Sequence, residues 1–231
     1  MKSNIIIGLM TLVWLVLMAD ILLWGRDGEW MMEDVKKIAK LEVAKYADQM
    51  IIVAVSEDGA SLCLYEREDS TWQLVLETEA IIGKSGLGKT KEGDGKTPVG
   101  VFRFTKAFGI LENPGAKMEY TQVNENHYWV DDGRSKYYNQ FISTERVVPD
   151  WKSAEHIIEY GECYHYVLAT SYNYEEIPGV GSAIFLHCMS DEAKATAGCI
   201  AVSENSMIKI MKHIEPECVL IVDKVENILS Y

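Results

Sequence analysis

The chain reads as a mainly β domain with a few helices, preceded by one apolar helix. Three observations predict this class. Eight short runs rich in β-branched and aromatic residues follow from Ile51 onward, Gly, Asn, Asp and Pro clusters separate them, and a long apolar stretch stands near the N-terminus. The 231 residues, 48% of them hydrophobic and 25% charged, suffice for one packed domain plus an appendage. A net charge of -13, from 22 basic against 35 acidic side chains, excludes a phosphate-backbone partner, so no nucleic acid is expected.

Taken in order, Ile5–Trp24 is apolar except for Asp20 and long enough to cross a bilayer as a helix. It lacks the shorter apolar core and small-residue cleavage site of a removable signal peptide. Residues 1–25 are therefore expected to be an uncleaved single-pass membrane anchor. Lys2 ahead of the run and an acidic flank behind it place the remainder outside the cytoplasm. Residues 26–50 read as a helical linker, with Val35, Ile38, Ala39 and Tyr46 near one face of a helix over 33–50.

Residues 51–231 carry the β pattern. The runs are IIVAVSED, SLCLYERED, TWQLVLETEA, PVGVFRFTKAFG, YHYVLATSYN, SAIFLHC, GCIAVS and CVLIVDKV, and they predict mainly antiparallel pairing. One late helix is expected over ENSMIKIMKHI, with Ser203 as its N-cap and Pro216 as its stop; Met207, Ile210 and Met211 face the core.

Gly83–Thr90, GKSGLGKT, fits the letters of a nucleotide-binding P-loop. That chemistry needs a helix starting at the Lys, so that its N-terminal amides cradle phosphate. The following KEGDGKTPVG cannot form one, and the stretch is expected to be a glycine-rich connection with no nucleotide.

His187 and Cys199 stand twelve residues apart around a polar insertion. Ala183, Phe185 and His187 share one face of a strand by alternation. If GCIAV is the neighbouring strand, the imidazole and thiol come within reach, and a thiolate nucleophile served by a base becomes available. Gly198 allows a tight turn, and the Cys199 amide is a natural oxyanion donor. Other readings stay open at this point: a buried core pair, half of a disulfide among five cysteines, or a zinc site drawn from Cys163, His165, His187, Cys188 and Cys199. Nothing calls for a metal or cofactor.

These residues resemble the YkuD-type L,D-transpeptidases, cysteine enzymes of bacterial peptidoglycan. That family's signature is a His, a loop, then [S/T]-H-G-C-hydrophobic-[R/N]. His187, Thr196, Gly198, Cys199 and Ile200 match it. Gly93–Gly109, GDGKTPVGVFRFTKAFG, is similar to the family's D-G-x-T-P-x-G turn into a strand, and YWVDD, YYNQF, WKSAEHI and GSAIFLHC resemble one branch. Ala197 departs from the second His, Ala201 departs from the Arg or Asn, and the loop is shorter than in better-known members.

The resemblance spans residues 51–223 and implies a YkuD-like β-sandwich acting on peptidoglycan stem peptides. It makes Cys199 the nucleophile and His187 the base. It gives the backbone of Gly198 and Cys199 to the oxyanion and the Cys188 carbonyl to the imidazole. Thr196, Trp129, Tyr138, Asn139, Tyr172 and Asn173 are candidates to shape the donor groove, though aromatics more often pack in a core. Transfer to an amine makes a transpeptidase, transfer to water an L,D-carboxypeptidase, and loss of chemistry a wall-binding domain of the same fold.

Overall fold

The structure, a computed structural model, describes residues 35–190 and 194–231. The apolar run Ile5–Trp24 lies outside them; among the described residues no helix is long and apolar enough to cross a membrane.

Three long strands open the domain: β1 (Gln49–Ser56), β2 (Gly59–Glu68) and β3 (Thr71–Ala80), joined as antiparallel neighbours. β4 (Gly100–Gly109) follows the glycine-rich stretch. Four short strands come next: β5 (Tyr120–Gln122), β6 (His127–Val130), β7 (Phe141–Ser143) and β8 (Ala154–His156). The chain closes with β9 (Val167–Thr170), β10 (Phe185–Cys188), β11 (Ile200–Val202), helix α1 (Glu204–His213) and β12 (Val219–Lys224).

The main sheet runs β11-β10-β9-β4-β12-β1-β2-β3, with β5 beside β4; β7-β6-β8 form a separate small sheet. Pairing is mixed, because β1–β12, β10–β11 and β4–β5 are parallel. The two ends of the path meet: Ile81, just after β3, exchanges both backbone hydrogen bonds with Ala201 of β11, each 2.9 Å. The sheet therefore curls toward a barrel, and this closure brings the Gly83 region against the segment before β11.

The expected helix over 33–50 forms only as a turn reaching residue 38 and a 3-10 turn, Val43–Lys45. β1 has already begun at Gln49, since Met50–Val53 are buried on both faces and β-branched side chains suit a strand there. Ile38, Leu41, Val43, Ala44 and Ala47 pack against Met50, Ile52, Val219 and Ile221, covering the outside of the sheet. α1 covers the other side, placing Met207, Ile210 and Met211 in the central core with Leu64, Leu168 and Leu186. Ser203 caps it by accepting the Ser206 amide at 3.2 Å.

No helix follows Lys89. Gly83–Thr97 is instead a loop held by isolated bridges, Gly83 to Thr196 and Leu87 to Thr97.

Candidate active site

A third core cluster contains Phe108, Trp129, Tyr164, Phe185, Ala183 and Cys199. Beside it lies a cavity of about 280 Å³, lined by Cys199, His187, Gly198, Ala183, Lys89, Glu92, Asp131, Glu155, Tyr160 and Tyr164 among others. β10 and β11 run parallel with His187 opposite Ala201, so Cys199 enters the cavity just ahead of its strand.

The thiol is held by backbone. Cys199 Sγ donates to the Ala183 carbonyl at 3.1 Å and accepts from the Phe185 amide at 3.4 Å. Burial pushes its pKa up to about 12, the Glu155 charge adds to the rise, and the Phe185 amide and Lys89 work against it. The resting group is a protonated thiol. Among the described residues no hydrogen bond links it to His187.

His187 is buried, with Nδ1 2.7 Å from the Cys188 carbonyl oxygen. A carbonyl only accepts, so Nδ1 carries the proton in that contact and the neutral ring keeps its lone pair on Nε2. Burial lowers the imidazole pKa, and the main-chain contacts of Cys188 and Cys163 offset part of this. The ring packs edge-on to Tyr164 at 5.6 Å.

Ala183 lies outside β10, not on the strand face expected from alternation. Its φ of +54 is a left-handed conformation that an L side chain adopts at a cost. Asn139, itself at φ +58, holds it: Asn139 Oδ1 accepts the Ala183 amide at 3.1 Å and Trp129 Nε1 at 3.0 Å. Asn139 Nδ2 donates to the Asn173 carbonyl at 3.0 Å, and Asn173 Nδ2 donates to the Gly181 carbonyl at 2.8 Å. Tyr172 bonds the Val180 carbonyl at 2.9 Å, and Tyr138 donates to Glu92 at 2.6 Å. These five side chains form a frame behind Ala183. None lines the cavity of Cys199; Trp129, Asn139 and Tyr172 line a separate cleft with Phe141 and Glu176.

Thr196 does reach the cavity, but its hydroxyl works within the turn. It donates to the Cys199 carbonyl at 2.7 Å and accepts the Gly198 amide at 3.1 Å. The Gly198 amide is thus engaged, which leaves the Cys199 amide as the backbone donor for an oxyanion. Gly198 itself cannot be replaced freely: at φ +148, an added Cβ would stand 2.8 Å from the Lys96 carbonyl oxygen.

Sequence reasoning passed over the cavity's charged walls. Glu155 accepts from Tyr164 at 2.7 Å; burial raises its pKa to about 7, opposed by the Tyr164 hydrogen bond and reinforced by Asp131. Asp131 Oδ1 is buried with no hydrogen-bond partner among the described residues. Lys89, paired with Asp94, also lines the cavity. The signals were Lys89 inside the P-loop-like stretch, Asp131 inside YWVDD and Glu155 inside WKSAEHI. No disulfide joins any of the five cysteines. Among the described residues no cluster of His, Cys, Asp and Glu is placed to hold a metal, and His165 engages Glu204 at 2.7 Å.

A curled β domain with a thiol and an imidazole on one cavity defines a candidate cysteine-dependent site. The YkuD L,D-transpeptidase catalytic domain matches residues 49–223, and the chain belongs to that family. Among solved structures it is similar to Bdellovibrio bacteriovorus Bd1075, at 18% identity and TM-score 0.42, covering 79% of this chain and 50% of that one. It is also similar to the helical cell shape determining protein Pgp2 from Campylobacter jejuni, at 19% identity and TM-score 0.43, covering 78% and 49%. Enterococcus faecium L,D-transpeptidase, as its C442S mutant, matches at 12% identity and TM-score 0.38, covering 77% and 50%. The chain thus spans about half the length of these structures. Comparison with curated protein sequences finds no relative.

Proposed function

We propose that this protein is a peptidoglycan L,D-transpeptidase, held at the outer face of a bacterial membrane by its N-terminal apolar run, with Cys199 as nucleophile and His187 as base. The supporting observation is the pairing of functions in one cavity of this family's domain. A buried thiol stands there with an imidazole whose Nδ1 is fixed by the Cys188 carbonyl, leaving Nε2 basic.

The reaction begins from a neutral pair. A donor stem tetrapeptide displaces the Ala183 contact, His187 Nε2 takes the thiol proton, and sulfur bonds to the carbonyl carbon of the L-centre-to-D-Ala amide. The oxyanion sits against the Cys199 amide. The imidazolium returns its proton to the amine of D-Ala as the C–N bond breaks, leaving a thioester. An amine of a second stem attacks it and loses a proton to His187; the new amide forms and the thiol is restored.

The test is intact mass of the reduced full chain after exposure to a carbapenem, the β-lactam class that acylates this family. One adduct is expected, lost in Cys199→Ala and kept in Cys218→Ala. An unmodified wild-type chain would leave a wall-binding domain as the reading. Feeding tetrapeptide with and without an amine acceptor separates cross-linking from hydrolysis, since a carboxypeptidase releases tripeptide only.

A further inference from the structure

We propose that Lys89 is the carboxylate-binding residue of this cavity: its ammonium takes the free terminal carboxylate of the donor peptide and so restricts the reaction to a chain's last amide. The assignment rests on the acyl-transfer reading of Cys199.

Lys89 is the lysine of the P-loop-like stretch, which the fold has turned to another use. Its side chain is only 2% exposed, and it lines the cavity. Nζ donates to Asp94 Oδ1 at 3.0 Å, and among the described residues that is its one hydrogen bond. Asp94 is already shared out. Oδ1 also accepts the Lys96 amide at 3.0 Å, and Oδ2 accepts the amides of Thr90 at 2.9 Å and Lys91 at 3.2 Å. Burial alone would raise the Asp94 pKa, but these four donors together hold it well below the ordinary carboxylate range. Asp94 takes one of the three N–H bonds of Nζ, and two remain for a ligand. Leaving them unused in a buried place is costly.

The approach of Lys89 to the nucleophile is built in by two glycines. A Cβ on Gly181, at φ +130, would stand 2.5 Å from Lys89 Cε, and one on Gly198 would stand 3.5 Å from Nζ. The ammonium is therefore at most about 5 Å from the Gly198 Cα, itself about 3.8 Å from the Cys199 Cα. In a donor peptide the terminal carboxylate lies one residue beyond the scissile carbonyl, the same scale of separation. The other acidic walls, Glu92 and Asp131, repel an anion. Among the described residues that line the cavity, Lys89 is thus the one cationic side chain offered to a peptide carboxylate, and it stands beside Gly198, the neighbour of the nucleophile.

The experiment compares two tetrapeptide donors that differ only in a free acid or a carboxamide at the last residue. kcat/KM is measured with the full chain as wild type, K89M and K89R. Wild type is expected to favour the acid by about 10- to 100-fold, the range of a charge-assisted hydrogen bond. K89M is expected to lose that preference, bringing the two donors to equal rates, and K89R to keep part of it. Both donors are assayed in one preparation, so a partly folded variant scales both rates alike. Equal rates in wild type overturn the assignment, whether or not K89M folds. So does an equal slowing of both donors in K89M, which would make Lys89 a part of the oxyanion site or the fold. If wild type forms the carbapenem adduct at Cys199 yet ignores the carboxylate, only Lys89 fails. If it forms no adduct and turns over neither donor, the acyl-transfer reading fails and takes this assignment with it.

Discussion

Glu155→Gln should change how stability depends on pH. Gln keeps the shape and can still accept the Tyr164 hydroxyl, 2.7 Å from Oε2 in the wild type. What it removes is a carboxyl whose pKa burial raises from 4.5 to about 7. Folding then binds this proton more tightly than the unfolded chain does. The stabilising contribution is complete below pH 4.5, falls as pH rises toward 7, and stays lost above it. The full linkage amounts to about 3 kcal/mol. The side chain is half-buried and faces a cavity that admits water, so about 1–2 kcal/mol is expected after screening. Urea unfolding of both proteins at pH 4.5, 6 and 8 checks it: wild-type stability relative to the variant should fall across that range by this amount. A constant difference would show that Glu155 ionises as an ordinary surface acid, and one that grows with pH that folding lowers its pKa; either result refutes the reasoning. The same substitution removes a negative charge that raises the Cys199 pKa, so alkylation of Cys199 at pH 8 should quicken.

Two further substitutions probe the backbone that presents the thiol. Gly198→Ala forces a Cβ to within 2.8 Å of the Lys96 carbonyl oxygen and 3.2 Å of Ile184 Cδ1 at a glycine-only φ. It should cost about 2–4 kcal/mol in urea unfolding and abolish the carbapenem adduct. Asn139→Ala strands the Ala183 amide and Trp129 Nε1. It should cost about 2–3 kcal/mol and slow Cys199 acylation, while Asn139→Asp, which keeps the acceptor oxygen but sets its second oxygen against the Asn173 carbonyl, should recover only part of both. Equal acylation rates in all three proteins would remove Asn139 from the positioning of the thiol.

How much of this was legible depended on length of pattern. The longer strands could be read because runs such as Ile51–Val55 and Val219–Val222 are continuous, β-branched and bounded by turn residues. Ser203 announced α1 because a cap is a local device. β5 to β8 were not legible: with three or four residues each, they take their partners from distant loops, as when His127 pairs with Ser143 and Trp129 with Glu155. The chain position of Cys199 and His187 was readable from motif and spacing. The thiol's actual partners were not, because Ala183 leaves the strand in a left-handed conformation that only Asn139, 44 residues away, makes tenable. Trp129, Tyr172 and Asn173 were visible as a group of aromatics and amides, yet nothing in their order told frame from groove. Lys89 was hidden by a better-known pattern, since a P-loop lysine and a cavity lysine look alike until the following helix proves absent.

The electrostatics of the site also limit how the nucleophile can be made. A preformed thiolate–imidazolium pair would require moving a proton from a thiol near 12 to an imidazole below its ordinary 6.5. Burial disfavours both charged forms, so that transfer is uphill in the resting site, where among the described residues no hydrogen bond links the two groups. The difference has to be met by something absent from the resting site. On the proposed acyl-transfer reading the carbonyl under attack supplies it, because negative charge would pass from sulfur to oxygen as the proton passes to His187, and the oxygen would meet the Cys199 amide while sulfur has only the Phe185 amide. Proton transfer and carbon–sulfur bond formation are coupled on that reading. The thiol would then stay protonated against Ala183 until a peptide displaces that contact, so that the burial that suppresses its reactivity at rest makes its activation depend on substrate.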